Sequence, residues 1–149
     1  MRTILPAAAL AGAVAVDGCG SSGPSREEFA KRADALCMQA DRHAPQTAPR
    51  TAKEAVRYTR QQIDSRAALD AKLRKLAVPS SEKSDFAAFN ADTARMISLL
   101  KQQNGAARNS DESGYDRLQL RFTTTAEQRE KTAIELGFGV CGRGVTGRK

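Results

Sequence analysis

Apolar residues recur three and four positions apart in four successive blocks of this chain, and proline, glycine or short polar stretches separate the blocks. Ser25-Arg26-Glu27-Glu28 has capping-box spacing and opens the first block, where Phe29, Ala33, Leu36, Cys37 and Ala40 share a face. Pro45 and Pro49 end it. Thr51-Ala52-Lys53-Glu54 is a second capping box and starts a long helix through about Ala77, with Val56, Thr59, Ile63, Leu69, Leu73 and Leu76 as its stripe. Val78-Pro79-Ser80-Ser81 breaks that helix. A third begins near Ser81 or Ser84, carries Phe86, Phe89, Thr93, Met96, Ile97 and Leu100, and is expected to stop at Asn104-Gly105. After a polar stretch, Tyr115, Leu118, Phe122, Thr125, Arg129, Ala133 and Leu136 form the inward stripe of a fourth. Arg129 on that stripe is read as the point where it reaches an end or surface of the bundle. Gly137 closes the helix, residues 138–142 read as extended, and Arg143, Arg148 and Lys149 belong to a basic tail.

Four amphipathic segments with short links predict an all-α fold, an up-down-up-down four-helix bundle spanning residues 25–142. Trp is absent and aromatics are 5% of the chain, so the core is expected to rest mainly on Leu, Ile, Val and Ala. At 149 residues there is room for one such domain and not two.

The first eighteen residues stand apart. Arg2 is followed by an apolar run, Ile4 to Val16, of 13 residues. A membrane span needs about 20. This length suits a signal peptide instead. Val16-Asp17-Gly18-Cys19 resembles the lipobox of bacterial lipoproteins, in which the cysteine sulfur receives a diacylglycerol and becomes the new N-terminus. Asp17 departs from that pattern, which has a small uncharged residue before the last small one. The alternative is an ordinary signal peptide cut after Ala13 or Ala15. That alternative leaves three thiols in an oxidising compartment; lipidation of Cys19 leaves two to pair. Residues 19–24 then form a flexible tether at the outer face of the cell membrane or envelope.

Cys37 and Cys141 are the expected disulfide, pinning the C-terminal segment to the first helix. Cys37 lies about 18 Å along that helix from Ser25 at about 1.5 Å per residue. Extended at about 3.3 Å per residue, residues 138–141 climb back roughly 13 Å of it, with Gly137 allowing the reversal. A redox role is weaker, because no CxxC exists.

Phe29-x-x-x-Ala33-Asp34-x-x-Cys37, Leu73-x-x-Leu76-x-x-Pro79 and Ala133-x-x-Leu136-Gly137-x-x-x-Cys141-Gly142 together resemble a group of small helical bacterial lipoproteins of uncharacterised role. The resemblance spans nearly the whole mature chain. It implies an envelope location and a terminal disulfide, and it transfers no catalytic or ligand-binding residue.

His43 is the only histidine, so neither a metal or haem site nor a Ser-His-Asp device is expected, and no cofactor is assigned. Met38 and Met96 fit packing positions better than ligand positions. The net charge is +7, but export argues against nucleic acid and toward anionic lipids or envelope polymers. Residues 51–77 hold seven basic side chains against three acidic ones, and Lys53, Arg57 and Arg60 make one ridge. Against this stands the plain alternative of a solvated helix face. The expected function is a lipid-anchored, non-catalytic binding or structural module of the envelope. A small ligand-binding or sensory bundle comes second and an enzyme third. A closed apolar interior favours the first, and a cavity with converging polar groups the second.

Overall fold

Ser25 opens the first helix as a complete capping box: its hydroxyl accepts from the Glu28 amide, and the Glu28 carboxylate accepts from the Ser25 amide. This helix, α1, is Arg26–Asp41; a computed structural model of the protein describes residues 23–45 and 47–143. The expected signal segment, Cys19 and the tail beyond Arg143 lie outside the described residues. Thr51 caps α2 (Ala52–Leu73) by accepting from the Glu54 amide, while Glu54 reaches back one residue further, to the Arg50 amide. A single 3-10 turn, Ser80–Glu82, leads into α3 (Lys83–Arg108), and Asp111 caps α4 (Glu112–Glu135). The described residues are all-helical, without strands.

The helices run up, down, up and down. α3 packs along both α2 and α4, whereas α1 meets mainly α2 and scarcely touches α4 directly. The C-terminal segment fills that gap. Arg26 fixes the pole where α1 starts: its guanidinium donates to the Glu135 carbonyl and lies 3.5 Å from the buried Glu82 carboxylate.

Two apolar clusters divide the length. The one under α1 joins Phe29, Phe86, Phe89 and Phe138 with Leu73 and Leu136. Phe29 meets Phe86 edge-on at 5.1 Å between centroids, and Phe138 meets Phe89 edge-on at 5.4 Å. Such pairs add about 0.5–1.5 kcal/mol beyond their buried area. The second cluster, Met96, Leu99, Leu100 and Phe122, joins α3 to α4. All five phenylalanines are buried; the aliphatic part of the core expected from composition rests on Leu and Ala, and among the described residues no isoleucine or valine is fully buried.

Three boundaries differ from expectation. α3 does not stop at Asn104-Gly105, because the Asn104 side chain faces inward and donates to the Val56 carbonyl (2.7 Å) and the Thr59 hydroxyl (2.8 Å) on α2. Those bonds remove the solvated cap that would end the helix; it ends at Arg108, with Ser110 at φ 53°. α2 ends at Leu73, with a turn through Leu76. Residues 138–142 are bends and turns, not an extended run.

Gly137, at φ 79°, does close α4. The Phe138 amide donates to the Ala133 carbonyl and the Gly137 amide to the Ile134 carbonyl, the paired bonds of a Schellman turn.

Candidate functional site

Among the described residues α1, at 16 residues, is the shortest α-helix; α2 has 22, α3 26 and α4 24. Where it stops, the chain crosses toward α2 as a proline-bearing loop, and the groove between α2 and α4 loses its fourth wall. A partly enclosed cavity of about 430 Å³ occupies this place. Arg66 and Gln62 enter it from α2, Arg129 and Glu130 from α4, and Tyr58 and Asp41 stand at its margins. Leu69, Met96 and Val140 supply apolar lining, and the Cys37–Cys141 disulfide forms part of the wall.

The two arginines are held by neutral groups. Arg129 Nε donates to the Thr93 hydroxyl at 2.8 Å and Nη1 to the Cys141 carbonyl at 3.2 Å. Its guanidinium carbon lies 4.1 Å from the Phe89 ring centroid, a cation–π contact. Arg66 Nε donates to Gln62 Oε1 at 3.2 Å, and its guanidinium lies 5.3 Å from the Phe122 centroid. Among the described residues neither arginine forms an ion pair. Burial pushes the Arg129 pKa down to about 10, and the nearby Arg66 charge pushes the same way, while Asp70, Asp92 and Asp41 act more weakly against it. Burial also lowers the Arg66 pKa, with Tyr58 and Asp41 opposing. Both remain cations at neutral pH, since an arginine keeps its proton far above 7. The cavity thus holds two half-buried like charges.

The C-terminal wall is fixed by Asp34. Its Oδ2 accepts from the Gly139 amide at 2.7 Å, and its Oδ1 accepts from Val140 at 2.8 Å and Cys141 at 3.0 Å. Three successive amides turned toward one carboxylate explain why residues 139–141 are curled and not extended. Cys37 and Cys141 are joined as expected, with Cα atoms 5.3 Å apart. The segment climbs α1 in turns, anchored by Phe138 below and the disulfide above.

Lys53, Arg57 and Arg60 are exposed along the first half of α2. They are separate from the cavity, although Arg57 borders a shallower hollow with Tyr58 and Pro45. His43 is exposed just past α1, Met38 is also exposed, and Met96 is buried in the core. Arg143 reaches the cavity margin; Arg148 and Lys149 lie outside the described residues. Arg129, expected at an end or surface of the bundle, is half-exposed at the cavity wall with its guanidinium over the Phe89 ring. Arg66 and Tyr58 carry no pattern that sets them apart in sequence. The one available signal was a charged residue on an otherwise inward stripe, at position 129. The chain matches no known family model, curated protein or solved structure.

Proposed function

We propose that this domain binds a small ligand in the cavity between α2, α4 and the C-terminal segment, without catalysis of its own. The observation carrying this reading is a cavity of about 430 Å³ into which polar groups from two helices converge. Small-molecule sites fall in this size range, about 300–1,000 Å³, and carry fixed polar groups that orient the ligand. A bundle interior of this kind is the feature that separates a ligand-binding domain from a purely structural one, so the ligand reading now stands first. The location remains the one read from residues 1–19: exported, lipid-anchored through Cys19, at the outer face of the cell membrane or in the envelope. The resemblance to small helical bacterial lipoproteins supports that location.

A fragment screen followed by nuclear magnetic resonance tests the reading. Binding fragments are expected to shift the signals of Met96 and Val140, and filling the space by Ala126→Phe is expected to abolish those shifts. Fragments that bind nowhere, or only at other surfaces, would defeat it.

The second reading, contact with anionic lipids or envelope polymers, is favoured by the exposure of Lys53, Arg57 and Arg60 on one ridge. The two readings are compatible, since ridge and cavity use different side chains.

A further inference from the structure

We infer that the cavity, on the ligand-binding reading above, is built for a small organic monoanion, its carboxylate seated between Arg66 and Arg129 and its apolar body against Leu69, Met96 and Val140.

The first ground is donor capacity. Each guanidinium carries five N–H donors in a rigid fork. Arg129 places two of its donors on protein acceptors, and Arg66 places one. The remainder have no acceptor among the described residues, although both side chains line a cavity. A protein that needed these residues only for packing would meet the shape requirement with leucine or methionine, without half-burying two like charges side by side.

The second ground is preorganisation. Arg129 is gripped on three sides by Thr93, Phe89 and the Cys141 carbonyl, so its free edge has a fixed direction. Carboxylates match such a fork with two parallel hydrogen bonds.

The third ground selects the charge. Arg66, Arg129 and Arg143 line the cavity together with Asp41 and Glu130, leaving one positive charge in excess. A monoanion neutralises that excess. A phosphate dianion overshoots it and faces the two carboxylates as well. The apolar lining selects a ligand with a hydrocarbon part over a bare inorganic ion.

Isothermal titration of the processed, disulfide-bonded protein, held in neutral nanodiscs, tests the inference with five probes: benzoate, benzamide, benzylamine, phenyl phosphate and inorganic phosphate. Benzoate is expected to bind best. Arg66→Gln is expected to weaken it by at least about tenfold, the scale of losing a charged hydrogen bond, and Arg66→Lys by less. Circular dichroism and thiol titration establish that each variant keeps its helices and its disulfide. Should Arg66→Gln fail to fold, the comparison of benzoate with benzamide in the unaltered protein decides. Equal binding of benzamide would overturn the anion assignment and leave the ligand-binding cavity standing. Tighter binding of phenyl phosphate or inorganic phosphate would overturn the monoanion assignment. Silence from all five probes would overturn the inference, and the fragment screen would then decide the broader reading on its own.

Discussion

Replacing Asp34 by alanine removes the acceptor for three successive amides and is predicted to cost about 2–3 kcal/mol. The estimate follows from the surroundings of each donor. The Gly139 amide belongs to an exposed residue and regains water at little cost. Val140 is half-buried and Cys141 buried, so their amides lose a charged acceptor without full replacement. A hydrogen bond to a charged group is worth about 1.5–3 kcal/mol, and partial exposure of Asp34 places each of these two at or below the lower end. Against a typical total of about 5–15 kcal/mol, the loss is large. Asparagine sharpens the test. Placed like Asp34, it keeps an oxygen for Val140 and Cys141 and sets its amide nitrogen against Gly139, donor facing donor at the exposed position. Asp34→Asn is therefore predicted to cost only about 1 kcal/mol. Urea unfolding of the oxidised protein, at unchanged slope, measures both values. Amide exchange at Val140 and Cys141 is expected to accelerate in Asp34→Ala ahead of the helices. An alanine variant within about 0.5 kcal/mol of the parent would refute the reasoning, as would asparagine proving as damaging as alanine.

Three further predictions follow from the same frame. Removing both Cys37 and Cys141 should lower stability by at most about 4.7 kcal/mol, the loop-closure figure for a loop of about 100 residues, with the helical spectrum retained; an unchanged urea midpoint would contradict this. Intact-mass analysis of membrane-extracted protein should show residues 1–18 removed and lipid on Cys19, whereas an unmodified chain starting near Val16 would exclude lipidation. Residues 20–149 should bind anionic vesicles in low salt, at about 1 kcal/mol per basic residue near the surface. Changing Lys53, Arg57 and Arg60 to Ala should abolish that binding, and equal, negligible binding to neutral and anionic vesicles would return the ridge to a solvated face.

The helices were legible because their signals are local. Ser25 with Glu28, and Thr51 with Glu54, satisfy amides three residues away, so cap and helix start are written side by side. The cysteine pairing was legible for a different reason, that few cysteines leave few choices. What failed was whatever depends on a partner distant in sequence. Asn104-Gly105 has the composition of a helix stop, and only Val56 and Thr59, nearly fifty residues earlier, make Asn104 an inward residue. The curl at 139–141 depends on Asp34 in the same way. The cavity was the least visible of all. It exists because α1 is shorter than its neighbours, and a missing wall leaves no mark on the residues that line it.

The reach of the Asp34 contacts also sets the order in which the domain assembles. They join residues 105 to 107 positions apart, almost the whole described chain. α2, α3 and α4, in contrast, pack as neighbours in sequence. Loops between neighbours close at small entropic cost, so the three long helices can collapse together while α1 and the C-terminal segment are still unattached. Docking of those two ends is then a single late event, in which Phe29 and Phe138 complete the aromatic cluster and Asp34 gathers its amides. The same event raises the last wall beside Arg66 and Arg129. The cavity is thus closed only when both ends are in place, and it opens when they part.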